Sequence, residues 1–277
     1  MRAGLVQLTS GDDPAANLPM TRALVAEAAA KGATFVLTPE VTNCVSSSRD
    51  RQADVLRTED KDITLAGLRE QAAALDIWLL VGSLALKQDG GDGRFVNRSF
   101  LIAPDGAIAA RYDKIHMFDV DVTPEETYRE SAGFRPGDRA VTAAVGPFTL
   151  GLSVCYDLRF PYLYRGLAQA GATVLSVPAA FSPVTGAAHW EVLLRARAIE
   201  TGCYVLAPAQ TGTHPATAGK PRRTHGHSLA VAPWGEVLAD AGTEPGVTLV
   251  ELDPAEVEHA RRRVPSLRHD RKFHGPR

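Results

Sequence analysis

The chain has 277 residues, of which 45% are hydrophobic and 22% charged, and its formal net charge is −2. This composition is typical of a globular protein with a proper core, and the charge gives no electrostatic reason to expect nucleic acid or an anionic membrane as a partner. No apolar run approaches the length of a bilayer span, and the first residues lack the apolar core of a signal peptide. Three cysteines are too few for a disulfide framework, so we expect a reducing, cytoplasmic compartment.

The first half of the chain predicts strands that alternate with helices. In order, the elements are a strand at 3–8, a helix at 13–31, a strand at 33–37, a helix at 62–75, a strand at 77–81 and a hairpin of 97–103 with 107–112. Residues 43–60 are polar and predicted to be irregular. Residues 113–140 form a long polar segment without periodicity, and loops of that length in compact domains are usually functional.

The second half of the chain continues the same alternation. In order, it predicts a strand at 148–154, a helix at 161–170, a strand at 172–177, a helix around 190–201, a strand at 204–207, a hairpin of 228–232 with 236–239, a strand at 247–252 and a helix at 255–263. No composition break or repeat divides the chain. We therefore expect one α/β domain of mixed sheets covered by helices, with a core of about 1–253 and a tail of about 254–277.

Cys155 lies where a buried strand ends and a helix is about to begin, in the run SVCYDLRFP. Such a junction holds a side chain rigidly and opens it to a pocket, and its backbone N–H groups suit an oxyanion. A buried structural cysteine is the commoner alternative. The polar residues that follow, Tyr156, Asp157 and Arg159, favour a working thiol.

Three more chemically suitable side chains lie at strand ends or in the long loop: Glu40, Lys114 and Glu130. Taken singly, each fits a solvated loop residue equally well. Together with Cys155 they fit nucleophilic catalysis, because a carboxylate can take the thiol proton and a lysine can stabilise an oxyanion. An unperturbed thiol and carboxylate differ by about four pKa units, so we expect burial to raise the pKa of the glutamate and the lysine to lower that of the thiol.

The motifs around these residues resemble those of the nitrilase, or carbon–nitrogen hydrolase, superfamily. Glu40 in TPE, Lys114 in YDKIHMFD, Glu130 in RES and Cys155 in CYDLRFP occur in the family's order, and the resemblance runs from the first strand to PSLRHDR. It implies a four-layer α-β-β-α sandwich, a homodimer or higher homo-oligomer, and cofactor-free hydrolysis of a small-molecule amide. It also implies that Cys155 forms a thioester as ammonia leaves.

The resemblance assigns a role to each of these residues. Glu40 would be the general base, Lys114 and the N–H of Tyr156 would hold the oxyanion, and Glu130 would hold Lys114 and help to orient the substrate. True nitrilases resemble Cys-Trp-Glu where this chain has Cys-Tyr-Asp, which favours amides over nitriles. The sequence is most similar to the branch of deaminated glutathione amidases, with omega-amidases nearly as similar. An N-carbamoyl amide hydrolase and a non-catalytic scaffold of the same fold are the alternatives.

Candidate substrate contacts lie in loops after predicted strands, where a pocket mouth is expected. They are Arg159, Phe181, Thr185, His189 and Gln210. Arg159 could pair with a substrate carboxylate or, at least as well, form a structural ion pair with Asp157 or another acid. No metal site is expected at His214, His225 and His227, which lack ligands at metal spacing, and 218–224 is predicted to be a mobile surface segment. The basic residues of the tail are balanced by acidic ones, which predicts a solvated face or a subunit contact.

Overall fold

Two six-stranded sheets organise the part of the chain that the computed structural model describes, namely residues 1–90, 92–124 and 126–275. The first has the order β16-β1-β2-β3-β4-β5 and the second β15-β14-β11-β10-β9-β8. The strands are β1 Arg2–Gln7, β2 Phe35–Leu37, β3 Trp78–Leu86, β4 Val96–Ile102, β5 Ile108–Asp113, β6 Asp119–Thr123, β7 Glu126–Arg129, β8 Thr142–Val145, β9 Phe148–Leu152, β10 Val174–Ser176, β11 Tyr204–Ala207, β12 Thr211–Thr213, β13 Arg223–His225, β14 Leu229–Val231, β15 Val237–Asp240 and β16 Gly246–Glu251. The helices are α1 Pro14–Ala30, α2 Arg49–Val55, α3 Ile63–Leu75, α4 Pro161–Gln169, α5 Pro183–Thr201 and α6 Pro254–Arg263.

The two sheets pack face to face, with helices on their outer sides. Leu37 and Leu80 of the first sheet belong to the same buried cluster as Leu150 and Val205 of the second. On its other face, the first sheet packs against α1 and α3. On the far side of the second sheet, α4 and α5 pack against its strands. The predicted four-layer α-β-β-α sandwich in a single α/β domain is confirmed.

Each sheet has a parallel centre, and this arrangement positions the functional groups. Strands β1, β2 and β3 run parallel, as do β9, β10 and β11, while the outer strands of both sheets are antiparallel. In open α/β sheets, binding sites form beyond the carboxyl ends of parallel strands. The segments that carry Glu40 and Cys155 follow β2 and β9 at such ends.

Several predicted irregular segments contain regular structure. The polar segment 43–60 contains α2, whose N-cap Ser48 accepts a hydrogen bond from the Arg51 N–H at 3.2 Å. Helix α2 is short and buries only Gln52, so its sequence shows no apolar stripe that would have predicted a helix. The long segment 113–140 contains the β6–β7 hairpin, and the predicted surface segment 218–224 leads into β13, which pairs with β12.

Two elements are longer than predicted. Strand β3 continues to Leu86 through an irregularity between Val81 and Leu84, where Gly82 interrupts the apolar pattern. Helix α5 begins at Pro183, well before the predicted start near Trp190. A proline fits the first turn of a helix, but the residues that follow it lack the clear apolar stripe that would have predicted the earlier start. None of the helices in the described residues is both long and apolar enough to cross a membrane.

Candidate active site

Four side chains that are distant in the sequence meet in one cluster. The Lys114 ammonium donates hydrogen bonds to Glu40 Oε1 at 3.0 Å and to the two Glu130 oxygens at 2.9 and 2.8 Å. The Cys155 thiol lies near the Glu40 carboxylate, and each group shifts the pKa of the other. Glu40, Lys114 and Cys155 are buried, with relative exposures of 4%, 2% and 7%. The structure thus brings together the four side chains that the sequence singled out, and their catalytic roles stay predictions.

The backbone around Glu40 is held in place by strand β3. Val41 N donates to Ser83 Oγ at 2.9 Å, and Gly82 N donates to Thr38 Oγ1 at 3.1 Å. A Cβ built on Gly82 would lie 2.0 Å from the Thr38 carbonyl oxygen, so only glycine permits this approach. The carboxylate then accepts hydrogen bonds from Asn97 Nδ2 and from the Ala180 N–H, both at 2.9 Å. Its position is therefore fixed on several sides.

Cys155 occupies a strained backbone conformation. Its φ is +52°, in the left-handed region that residues with a Cβ rarely adopt, and its N–H donates to the Pro178 carbonyl at 2.9 Å. It begins a 3₁₀ turn, Cys155–Arg159, in which Tyr156 is the second residue. The first N–H groups of a helical turn lack intrahelical acceptors, and the role of the Tyr156 N–H as an oxyanion donor stays a prediction.

The Asp157 side chain stabilises this strained turn through several hydrogen bonds. It is fully buried, and it accepts hydrogen bonds from the Val154 N–H at 2.8 Å, the His116 N–H at 3.0 Å and the Tyr112 hydroxyl at 2.7 Å. The His116 ring also contacts it at 2.7 Å. Asp157 is therefore engaged here and does not form the ion pair with Arg159 that the sequence left open.

Burial and the charges of the cluster set the protonation states of Glu40 and Cys155. Burial opposes ionisation of Glu40, but the Lys114 ammonium, the Cys155 thiol and the Arg222 guanidinium together hold the pKa of its carboxyl below the ordinary value. Burial, followed by the charge of Glu40, raises the pKa of the Cys155 thiol well above its ordinary value. The expectation that these two pKa values would approach one another is wrong, because that of Glu40 is lowered and that of Cys155 is raised. Glu40 is ionised and Cys155 is a neutral thiol.

The cluster forms the floor of a cavity of about 660 Å³. Phe181 and Thr185 line this cavity, as the sequence predicts for substrate contacts. Gln210 lies behind it, fully buried, and donates to the Glu40 carbonyl oxygen at 3.1 Å. Arg159 and His189 are outside the lining and contact each other at 3.2 Å.

Other polar and cationic residues of the lining were not predicted. They include Arg49, Asn97, Tyr128, Ser182, Lys220, Arg222 and Arg223. The basic run at 220–223 was a visible signal, but a run of cations in a loop is more often a solvated surface. The structure shows that this run, which leads into β13, lines the cavity.

The site offers no metal-binding arrangement. Within residues 1–90, 92–124 and 126–275, no three His, Cys, Asp or Glu side chains are grouped so as to hold an ion. Of the histidines considered from the sequence, His214 contacts the Ser10 carbonyl oxygen and Thr224 Oγ1, while His227 contacts Asp240. These ring nitrogens therefore already have protein partners.

Comparison with known proteins identifies the family. The family model described as carbon–nitrogen hydrolase matches residues 2–262. The chain belongs to the carbon–nitrogen hydrolase family. This carbon–nitrogen hydrolase is accordingly an enzyme that acts on carbon–nitrogen bonds other than peptide bonds.

Relatives of this carbon–nitrogen hydrolase include a curated protein and two solved structures. It is 41% identical over 271 residues to the deaminated glutathione amidase of Synechocystis sp., covering 96% of this chain and 97% of the relative. The C. elegans NitFhit protein has a TM-score of 0.89 at 34% identity, with 98% of this chain but 65% of that longer chain covered. Saccharomyces cerevisiae Nit3, a member of branch 10 of the nitrilase superfamily, has a TM-score of 0.86 at 28% identity, covering 99% and 97%.

Proposed function

We propose that this hydrolase cleaves a linear amide through a thioester on Cys155, and that its substrate is deaminated glutathione. The observation that carries the proposal is the bridge of Lys114 between two carboxylates, directly beside a buried thiol at the floor of a cavity. This constellation supplies a nucleophile, a base and an oxyanion donor within reach of one carbonyl group.

Acylation begins when a substrate carbonyl enters beside the neutral thiol. The Cys155 sulfur attacks the carbonyl carbon while its proton passes to the neighbouring Glu40 carboxylate. The negative charge moves to the carbonyl oxygen, between the Lys114 ammonium and the Tyr156 N–H. The carbon–nitrogen bond then breaks, Glu40 returns the proton to the departing nitrogen, and a thioester remains on Cys155.

Deacylation repeats the same proton transfers with water. Glu40 takes a proton from a water molecule as its oxygen attacks the thioester carbon, and the oxyanion forms at the same place. The carbon–sulfur bond breaks, the sulfur recovers the proton from Glu40, and the acid leaves. Glu130 holds Lys114 by two hydrogen bonds throughout, so the ammonium stays beside the oxygen that becomes the oxyanion.

The proposed substrate rests on the relatives. The Synechocystis relative is named for deaminated glutathione. In that molecule the only amide that is not an ordinary peptide bond joins the γ-carboxyl group of the former glutamate to cysteinylglycine. Its hydrolysis releases a dipeptide amine and not the ammonia that the sequence-based mechanism assumed. A cavity of about 660 Å³ has room for such a substrate.

A product assay separates the candidate activities. Deaminated glutathione, 2-oxoglutaramate and an N-carbamoyl amino acid are each incubated with the enzyme and with its Cys155→Ala variant, and products are identified by mass spectrometry and ammonia release. We expect cysteinylglycine to form fastest from the first substrate and nothing to form with the variant. Faster release of ammonia from 2-oxoglutaramate would make the protein an omega-amidase. Full activity of Cys155→Ala would show that Cys155 is not the nucleophile.

We also propose that the protein is a cytoplasmic homodimer. Val192 and Ile199 lie seven residues apart on one exposed face of α5, and Tyr162 is exposed on neighbouring α4. Phe273 in the tail is 88% exposed, which fits the predicted role of the tail in subunit contacts. Light scattering should give twice the mass of 29.6 kDa. Monomers at micromolar concentration would refute the dimer, and Val192→Lys with Ile199→Lys should produce them.

A further inference from the structure

One wall of the cavity carries buried polar atoms that the protein leaves unpaired. Ser182 Oγ, Thr185 Oγ1 and Arg222 Nε are buried and have no hydrogen-bond partner among the described residues, and all three residues line the cavity. Ser182 is only 2% exposed. Buried polar atoms are nearly always satisfied, because an unpaired one costs about 1–3 kcal/mol. A cluster of them on a cavity wall indicates that a polar ligand group completes their bonding.

The position of the two hydroxyl groups indicates the charge of that ligand group. Ser182 is the N-cap of α5, a helix of 19 residues, yet its side chain makes no capping hydrogen bond, and Thr185 lies in the first helical turn. The N-terminus of a helix carries a partial positive charge and attracts anions. An N-cap serine whose hydroxyl does not cap the helix is free to donate to a ligand.

Arg222 adds a full positive charge that is held firmly in place. Its Nη2 donates to the Ala180 carbonyl oxygen at 2.9 Å, and its guanidinium lies 5.7 Å from the Tyr128 ring centre. Its carbonyl oxygen accepts a hydrogen bond from the His214 N–H at 2.9 Å. The guanidinium is therefore oriented before any ligand arrives, and Nε remains available.

The loop that carries Arg222 is itself anchored at a second point. The buried Asp12 carboxylate accepts hydrogen bonds from the Thr217 N–H at 2.7 Å and from the Thr217 hydroxyl at 2.9 Å. Ser47 Oγ donates to the Lys220 carbonyl oxygen at 2.7 Å. These contacts restrain the loop at Thr217 and Lys220, just before Arg222, so a ligand bound by Arg222 does not have to order it.

We propose that Ser182, Thr185 and Arg222 form an anion corner that binds the terminal carboxylate of the substrate's acyl part. The proposal rests on the proposed amidase function and adds the part of the substrate that the enzyme recognises by its charge. Ala180 joins the corner to the reacting groups, because its carbonyl oxygen accepts from Arg222 and its N–H donates to Glu40.

Burial favours the acyl part over the leaving amine as the occupant. The acyl part stays on Cys155 as the thioester and is needed until water attacks, so its anchor belongs deep in the cavity. The leaving amine has to depart first, and the outer cations Lys220 and Arg223 are exposed to solvent, where a departing group can be released. The corner therefore determines the preference for an acyl chain that ends in a carboxylate over one of the same length that does not.

A pair of matched amides tests the corner. Succinamate and butanamide have the same amide and the same spacer, but succinamate ends in a carboxylate and butanamide in a methyl group. The wild-type enzyme should prefer succinamate. Arg222→Met should lower kcat/KM for succinamate about 10- to 100-fold more than it lowers kcat/KM for butanamide, as expected for the loss of a charged hydrogen bond to the carboxylate. Ser182→Ala and Thr185→Val should each act in the same direction and less strongly.

A binding measurement separates this proposal from the proposed activity. Succinate should raise the melting temperature of the Cys155→Ala protein more than butanoate does, and Arg222→Met in that background should abolish the difference. Arg2→Met, which removes a surface ion pair with Glu251, is the matched control and should change neither readout.

The outcomes are distinguishable. An equal loss on both amides in Arg222→Met, or a loss of charge discrimination in Arg159→Met instead, overturns the corner. Succinate binding that depends on Arg222 in a protein that hydrolyses no amide would overturn the proposed activity and leave the corner in place.

Discussion

Replacing Lys114 by methionine tests the central assumption of the proposed mechanism. Lys114 is 2% exposed, and its ammonium is the shared partner of Glu40 and Glu130. Methionine keeps most of the side-chain volume and removes the charge. Loss of one oxyanion donor alone typically lowers the rate by ~10²–10³, so we expect kcat/KM for the best amide to fall at least that far.

The same substitution should also destabilise the fold. Removing one partner of a buried ion pair leaves an uncompensated charge, at a typical cost of about 3–5 kcal/mol. Here two carboxylates lose their common cation at once. Urea unfolding should show this loss, and the double variant Lys114→Met/Glu130→Gln should recover part of the stability, because one of the stranded charges is neutralised. It should recover no activity, because the oxyanion donor is still missing.

A surface lysine provides the control for this experiment. Lys31 forms an exposed ion pair with Glu27 on α1, and such pairs contribute about 0–1 kcal/mol. Lys31→Met should therefore leave both stability and kcat/KM near the wild-type values. A loss of less than tenfold in kcat/KM for Lys114→Met, or an unchanged urea midpoint, would show that Lys114 does not hold both carboxylates beside the nucleophile.

Further predictions concern the nucleophile, the turn beneath it and a buried histidine. Because Cys155 has φ +52°, the inactive variant Cys155→Gly should be more stable than Cys155→Ala by ~1 kcal/mol in thermal unfolding, and the reverse order would contradict the strain. Asp157→Asn should lose ~3 kcal/mol in urea unfolding and most of the activity, because a neutral amide cannot accept every hydrogen bond that this carboxylate receives; wild-type stability would contradict that role. Burial lowers the pKa of His214 to about 4, so the unfolded state binds more protons between pH 4 and about 6.5, and stability should fall by ~3 kcal/mol as the pH drops through that window. His214→Asn should flatten this dependence, and an equally steep one in the variant would assign it to another group.

The elements that could be predicted from the sequence are those in which local pattern and tertiary packing agree. The strand 204–207 is a short apolar run buried on both faces, and its observed bounds are the predicted ones. The hairpins carry Pro-Asp-Gly and Pro-Trp-Gly turns that specify their reversals. Helix α2 and strand β8 were missed because neither has an apolar periodicity of its own; each is stabilised by what it packs against.

The sequence predicted the side chains of the central cluster, but it did not predict most of the residues that line the cavity around them. Short family motifs surround Glu40, Lys114 and Cys155, and these motifs can be recognised in one sequence without an alignment. Arg222 and Ser182 belong to ordinary-looking loop and helix-start sequences, and their relevance follows only from the fold, which turns β13 and the start of α5 toward the same cavity. Arg159, by contrast, lies within the nucleophile motif but faces His189.

The reactivity of the thiol follows from the charge balance of the site. Burial and the charge of Glu40 raise the pKa of Cys155 by more than Lys114 lowers it, and this ammonium is shared between Glu40 and Glu130. A thiolate there would add a third negative charge against one shared cation in a buried space. Proton transfer to Glu40 therefore becomes favourable only when a substrate carbonyl can accept the electrons, so that the new charge appears on an oxygen facing Lys114. On this argument the free enzyme should react slowly with simple thiol reagents at pH 7, and rapid modification of Cys155 by iodoacetamide in the wild type, but not in Cys155→Ala, would contradict it.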